Sequence, residues 1–93
     1  MRQEAAFFEN YDPRLIYIAK KLKESLAVEL LLSENGVEYG VEPDKYRGGF
    51  VFQTERIGAF FYVRPDDEDR SRGLLAQHGY KPADQQTEEA AAG

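Results

Sequence analysis

Residues 43–49 combine residue types that can hold a small anion: two cations, a tyrosine and two glycines. The cations would attract a phosphate, the ring would offer a flat surface to a base, and the glycines would let backbone N–H groups approach closely. A proline at the start and the glycine pair at the end predict a loop. Ordinary turn chemistry explains the same residues, so both interpretations stay open. The residues predicted to bind are Lys45, Tyr46, Arg47, Gly48 and Gly49.

A second basic group precedes the first leucine-rich segment and contains Lys20, Lys21 and Lys23. If a helix begins here, these cations oppose its dipole, which is unfavourable unless something negative docks. This predicts a weak anion site, against the alternative of a solvated basic edge. We include Lys20 and Lys21 in the predicted ligand site, on the condition that the fold brings this joint close to residues 43–49.

Catalytic and metal chemistry is poorly supported by the remaining polar residues. The carboxylates of residues 66–69 could hold a hard cation, but they lack the alternation of a calcium loop, and helix capping explains them. His78 is the single histidine and there is no cysteine, so neither a histidine-based metal site nor a serine–histidine pair has a second member. We therefore expect no catalytic residue, no metal, no cofactor and no enzymatic activity.

The charge and hydropathy patterns exclude several classes of partner. The 93 residues contain 12 Lys and Arg against 17 Asp and Glu, a net charge of −5, with an acidic tail at residues 82–93. Such a chain binds nucleic acid or anionic membranes poorly. The uninterrupted apolar run at residues 15–19 is far too short to span a bilayer. We expect a cytoplasmic protein with no nucleic-acid or membrane partner.

The clearest structural pattern lies in residues 58–79. Residues 59–63 are aromatic and β-branched, which predicts a strand, and Pro65 ends it. Asp66 is a candidate helix cap, with Asp69 in the position that completes a capping box. Gly79 then matches the left-handed residue that ends a helix. This segment predicts a strand followed by a capped helix.

Residues 14–35 allow two interpretations. In the first, Pro13 opens one long helix, and a single stripe contains Leu15, Ile18, Ala19, Leu22, Leu26 and Leu30. In the second, residues 15–19 form a strand buried on both faces, Lys20 and Lys21 form the connection, and residues 22–35 form the helix. Gly36 ends the helix in either case. The spacing of the apolar residues alone supports the two interpretations about equally.

The other segments are shorter. Residues 37–42 alternate apolar and polar side chains, which predicts a strand closed by Pro43. Residues 50–54 predict a further strand, and residues 55–58 a hairpin turn. Residues 1–13 predict an irregular or briefly helical arm on the domain, and residues 82–93 a disordered acidic tail. The single α+β domain is therefore expected at residues 14–81.

Two segments resemble the small bacterial family of signal-transducing domains related to PII proteins. The first is LIYIA (15–19) with LLLSENGV (30–37) and YGVEPD (39–44), and the second is FFYVRPDDEDRSRGLLAQHGY (60–80). The resemblance favours a strand at residues 15–19 and implies a ferredoxin-like β-α-β-β-α arrangement. It also implies that Gly73 is small so that its helix can approach the sheet, and that the connection between the second and third strands is the contact loop.

We therefore predict an α+β fold, a ferredoxin-like two-layer sandwich ordered β-α-β-β-(β)-α with two helices on one face of a small sheet. Aromatic rings on the other face would be uncovered, which predicts a homo-oligomer formed through that sheet face. Strand register decides which rings point outward among Phe50, Phe52, Phe60, Phe61 and Tyr62. The predicted function is a small regulatory or ligand-binding module. The alternative is a protein–protein adaptor or oligomerisation domain without a small ligand.

Overall fold

The computed structural model describes residues 1–48 and 54–83. Within them, three strands and two α-helices form a small α+β domain, as predicted at this level. Two short 3-10 helices, at Ala5–Phe8 and Pro65–Asp67, precede β1 and α2 respectively. The main elements are β1 at Arg14–Ala19, α1 at Leu22–Glu34, β2 at Tyr39–Gly48, β3 at Thr54–Val63 and α2 at Glu68–Gln77.

The sheet has β3 in the centre, with β1 and β2 antiparallel to it on either side. Arg14 and Tyr39 both pair with Val63, so β1 and β2 leave that end of β3 in the same direction. The register of β1 shifts between Leu15 and Tyr17, as in a β-bulge. This irregularity breaks the simple alternation of side chains along β1.

The strand interpretation of residues 15–19 is confirmed, and the single long helix is wrong. Leu15 and Ile16 are fully buried, as expected of a strand with both faces covered. The connection at Lys20 and Lys21 precedes α1, which begins at Leu22. Glu24 accepts a hydrogen bond from the backbone N–H of Lys20 at 3.0 Å. This bond fixes the chain just before the first turn, where Lys21 provides no side-chain cap.

The β2–β3 hairpin is longer than predicted. Pro43 does not close β2, which continues to Gly48, and residues 55–58 belong to β3 rather than to a turn. Proline is tolerated here because β2 is an outer strand of the described sheet, and one row of its backbone groups has no neighbouring strand. The predicted loop is therefore strand over residues 43–48. Gly49 and residues 50–53 lie outside the described residues.

Both helices end as predicted, at a glycine with positive φ: Gly36 at +71° and Gly79 at +83°. The left-handed conformation lets the chain turn back, so that a later N–H reaches a carbonyl of the last helical turn. These bonds run from Val37 to Leu32 at 3.0 Å and from Tyr80 to Leu75 at 2.9 Å.

The predicted capping of α2 is wrong. The 3-10 helix at Pro65–Asp67 comes first, and the residue before α2 is Asp67, not Asp66. Asp67 makes no side-chain capping bond, because its carboxylate lies 3.3 Å from Arg64 and 3.5 Å from Arg70. Acidic residues still occupy the first turn of α2, where the helix dipole favours them.

Two apolar clusters lie on opposite faces of the sheet. On the helix side, α1 and α2 both pack against the strands, and the members include Val28, Leu32, Phe61, Val63 and Leu75. On the other side the cluster consists of Leu15, Tyr46 and Phe60, with Ile18, Tyr62 and Ala83 packed against it. Of the rings that were candidates for an uncovered face, Phe60 and Phe61 are therefore completely buried, Phe61 beneath the helices, and Tyr62 is half-buried. Phe50 and Phe52 lie outside the described residues.

The implied packing role of Gly73 is also wrong. Gly73 is exposed on α2, and a Cβ added there would meet nothing within 4 Å. The close approach of α2 to the sheet instead uses Ser71 and Leu75, which are buried. These two residues are one turn apart, so they share a face of the helix.

Segments at both ends of the described chain contact the sheet. The Phe8 ring lies over Gly40, where an added Cβ would be 2.8 Å from the ring. Arg2 forms a parallel bridge with Tyr39. Ala83, assigned to the tail by the sequence analysis, donates its N–H to the carbonyl of Ile16 at 2.8 Å. The start of the predicted tail therefore lies along β1.

Candidate functional site

The fold brings together two of the predicted ligand-binding residues, Lys20 and Tyr46. Lys20 Nζ lies 5.4 Å from the centroid of the Tyr46 ring, a cation–π distance. The same ring is nearly buried and packs with Leu15 and Phe60. Tyr46 therefore already has a cation and an apolar cluster of its own chain against it. A stacked base would have to displace these contacts.

Gly58 makes this arrangement possible. A Cβ at this position would lie 3.0 Å from Cε1 of Tyr46 and 3.1 Å from the carbonyl oxygen of Ala19. The Tyr46 ring therefore crosses β3 at the point where β3 has no side chain. The sequence analysis placed Gly58 in a turn. A glycine inside a β-rich segment is the signal that indicates such a close approach.

Of the other predicted ligand residues, Lys45 and Lys21 lie away from this contact. Lys45 and Tyr46 are consecutive residues of β2, so their side chains leave opposite faces of the hairpin. Lys21 is exposed at the N-cap of α1. Gly48 is the last residue of β2, Arg47 precedes it, and Gly49 lies outside the described residues. The structure thus replaces a single binding loop with one contact between Lys20 and Tyr46.

A cleft of about 700 Å³ lies between the N-terminal arm and the helix-free face of the sheet. Its walls include Arg2 and Phe8 from the arm and Gly40, Glu42 and Tyr62 from the sheet. This volume is in the range that holds small organic ligands. Its walls contain one guanidinium, that of Arg2, which is also 3.7 Å from Glu29, and the carboxylates of Glu4 and Glu42.

An ionic cluster joins α2 to β1. Glu68 accepts hydrogen bonds from Nε of Arg14 and Nε of Arg72, both at 3.0 Å. Burial raises the pKa of Glu68, but the bonds and charges of the two arginines outweigh it, so the pKa lies below its ordinary value. Arg72 also donates to the carbonyls of Leu15 at 2.8 Å and Ala83 at 2.5 Å. The cluster holds the end of the described chain against the sheet.

Two buried tyrosines on the helix side stay protonated. Burial, helped by Glu24, raises the pKa of Tyr17 to about 12. Burial also raises the pKa of Tyr39, with a smaller opposing contribution from Ser33. The Tyr39 hydroxyl donates to Glu29 at 2.9 Å. Both phenols therefore act as structural donors.

Two of the acidic residues at positions 66–69 form ion pairs with arginines. Asp67 and Glu68 each contact two arginines. Across residues 1–48 and 54–83, no group of three His, Cys, Asp or Glu residues is placed to hold a metal ion. His78 lies exposed at the C-cap of α2 and does not line the cleft.

A row of three exposed leucines lies on α1. Leu22, Leu26 and Leu30 are exposed to 75%, 55% and 60%, and we call this row the leucine face. They are four residues apart, so they form one stripe, while α1 buries Ser25, Val28 and Leu32 against the sheet. The sequence analysis placed these leucines on one stripe only within the long-helix interpretation, which the structure contradicts. The sequence did contain a signal for this exposure. Apolar residues occur on more than one side of α1, and a single sheet face cannot cover all of them.

The comparisons with known proteins find no match. No family model fits the chain, and neither the curated proteins nor the solved structures contain one that is significantly similar to it. Among the described residues, no helix has both the length and the apolar character that crossing a bilayer requires.

Proposed function

We propose that this chain is a non-catalytic protein-interaction module that docks through the leucine face of α1. The observation that supports this function is the exposure of Leu22, Leu26 and Leu30, each more than half accessible. A contiguous apolar row on a monomeric domain is a common feature of interaction surfaces. Covering it with another polypeptide would remove that apolar area from water, which is the main favourable term in association.

The small-ligand hypothesis has lost its principal support. It required a loop at residues 43–49 with an accessible tyrosine, and residues 43–48 are instead paired with β3. Tyr46 is nearly buried beneath Lys20. The adaptor hypothesis is therefore favoured, although the surface that we now assign to it is a helix rather than the sheet face or a strand edge.

The proposal includes a ferredoxin-like fold. The strand order β1-β3-β2, with one helix after β1 and one after β3, supports this assignment. The relation to signal-transducing domains of the PII type stays a hypothesis that rests on the sequence resemblance alone. The contact loop of that hypothesis would fall at residues 49–53, outside the described residues.

A second candidate function is binding of a small ligand in the cleft beneath the arm. Arg2 supplies one positive charge there beside the carboxylates of Glu4 and Glu42. Phe8 and Tyr62 supply apolar wall. A nucleotide or small anion that occupies the cleft would raise the melting temperature of the wild type. The rise should be lost in Arg2→Glu. This candidate is rejected if none of the nucleotides and anions tested shifts the melting temperature.

The interaction function can be tested by chemical protection, because the chain has no cysteine of its own. A single cysteine replaces Leu26 in one variant and the exposed Ala76 of α2 in a control. Maleimide labelling rates are compared between dilute purified protein and intact cells that express the chain from its own gene. We expect labelling at position 26 to slow at least about tenfold in cells, the effect of a site covered for most of the time. Equal slowing at both positions, or none at either, would reject the proposal.

A further inference from the structure

The end of α1 at Asn35 and Gly36 combines a reactive pair of residues with a geometry that keeps the pair inactive. A backbone nitrogen attacks the side-chain amide of a preceding asparagine most readily when it belongs to glycine, because glycine has no side chain to block the approach. Asparagine is among the thermolabile residues. Asn35 is exposed at the C-cap of α1, and the exposed Gly36 follows with φ +71°. Water therefore reaches a pair that can deamidate.

The reaction consumes only water. The nitrogen of Gly36 gives its proton to solvent and bonds to Cγ of Asn35, while the bond from Cγ to Nδ2 breaks and ammonia leaves. Water then opens the resulting five-membered imide at one of its two carbonyls. Breaking the bond from the nitrogen to Cγ gives aspartate. Breaking the bond from the nitrogen to the main-chain carbonyl carbon gives isoaspartate, whose backbone contains one extra carbon.

Hydrogen bonds hold both reacting groups in the wrong place for this attack. The N–H of Gly36 donates to the carbonyl of Ser33 at 3.1 Å, and Nδ2 of Asn35 donates to the carbonyl of Leu31 at 2.8 Å. The carbonyl of Asn35 accepts a bond from Arg70 at 3.2 Å. The ψ of Asn35 is 11°, which places the Gly36 nitrogen nearly cis to the Asn35 nitrogen and away from Cβ. The imide ring cannot close until ψ rotates, and that rotation opens the end of the helix.

We infer that Asn35 is a modification site of this chain, a deamidation site that the last turn of α1 keeps closed. Asn35 converts only while that turn is open, so the converted fraction records how long the turn has been open. A carboxylate at position 35 cannot donate to the Leu31 carbonyl, and it adds negative charge beside Glu34 at the end of the helix, where the dipole disfavours it. The extra carbon of isoaspartate lengthens the link to Val37, which is fully buried. The modified turn therefore closes less well than the original one.

The first test compares the folded protein with a synthetic peptide of residues 30–40, which is too short to form a stable helix alone. Both are incubated in the same neutral buffer, and conversion at position 35 is followed by mass spectrometry and by an isoaspartate assay. We expect the protein to convert at least about tenfold more slowly than the peptide, because opening a helix end costs free energy. Asn10, the only other asparagine, precedes Tyr11 and is the internal control. In protein unfolded by urea, position 35 should convert faster than position 10.

The second test uses two leucine variants of α1. Leu32→Ala removes a fully buried side chain and loosens the last turn, whereas Leu30→Ala is the same substitution at an exposed position and is the matched control. Conversion at position 35 should rise several-fold in Leu32→Ala and stay at the wild-type rate in Leu30→Ala. If Leu32→Ala does not fold, wild-type protein in urea below its unfolding midpoint replaces it, and conversion should rise with the urea concentration.

Three outcomes would overturn the inference. Conversion of the folded protein as fast as the peptide would mean that the helix end does not close the site. Conversion at position 35 no faster than at position 10 in unfolded protein would mean that Asn35 is not a deamidation site. A rate that neither Leu32→Ala nor urea raises would mean that opening of the last turn does not control the reaction. Slow conversion in the fold, fast conversion in the peptide and acceleration in Leu32→Ala alone support it.

Discussion

Lys20 Nζ lies 5.4 Å from the ring centroid of Tyr46, so the connection after β1 contacts the distal half of β2 across the central strand. These residues are 26 positions apart in sequence and belong to segments that do not pair with each other. Gly58 of β3 provides the space between them. The contact therefore ties the two outer strands of the sheet together on its helix-free face.

Replacing Gly58 with alanine should destabilise the fold. The new methyl would lie 3.0 Å from the Tyr46 ring and 3.1 Å from the Ala19 carbonyl, and the backbone carbonyl cannot move aside easily. Overpacking of this kind costs about 1–3 kcal/mol of unfolding free energy. Urea denaturation measures it, and a stability equal to that of the wild type would mean that the ring does not cross β3 at Gly58.

Two further glycines should respond to alanine in opposite directions. Gly79→Ala forces a side chain into the left-handed conformation at φ +83°, at a cost of about 1–2 kcal/mol. Gly73→Ala should stabilise by about 0.5–1 kcal/mol, because Gly73 lies in the interior of α2 and an added Cβ meets nothing within 4 Å. Thermal or urea unfolding of the two variants compares them directly. A loss of stability in Gly73→Ala would contradict the open surroundings of that residue.

Two leucines of α1 should differ sharply when truncated. Leu32 is fully buried, so Leu32→Ala should cost about 2–5 kcal/mol. Leu30 is 60% exposed, so Leu30→Ala should change stability by less than about 0.5 kcal/mol. Denaturation curves at matched concentration are the measurement. Equal losses in both variants would place both leucines in the core.

The contribution of Glu68 should depend on pH in a predictable direction. The pKa of Glu68 is lowered from 4.5 in the folded protein, so folding favours its carboxylate form. The stabilisation is complete above the unfolded pKa and is lost as the pH falls through the folded value. The difference in unfolding free energy between the wild type and Glu68→Gln should therefore be largest near about pH 7 and shrink below about pH 4.5. A difference that stays constant down to about pH 3 would show that the two arginines do not stabilise the carboxylate.

The sequence predicted those elements that have strong local signals. A polar-free β-rich run identified β1, and the glycines after α1 and α2 identified both helix ends. The prediction that Pro43 ends β2 was wrong because β2 is an outer strand, and outer strands tolerate proline. The order of strands in a sheet depends on the whole fold, so the residues around Pro43 could not reveal it. The prediction that Asp66 caps α2 was wrong because nearby arginines compete for the acidic residues. This competition depends on tertiary contacts, which the sequence does not show.

The candidate site was predicted less well, for physical reasons. Lys20 and Tyr46 do meet, but only the packed sheet shows that the ring is covered. The exposure of the leucine face could not be predicted because α1 has two apolar faces. The composition of the helix does not show which of the two the sheet covers. Val28 and Leu32 occupy the covered face and Leu26 the open one.

The borders of the sheet decide how copies of this chain can accumulate. β1 receives a hydrogen bond from Ala83 along its outer side, and β2 has Arg2 bridged to Tyr39 at one end and Pro43 with Lys45 farther along. Bridging segments, prolines and lysines all hinder the addition of another strand. Growth of the sheet into fibrils is therefore disfavoured at both borders.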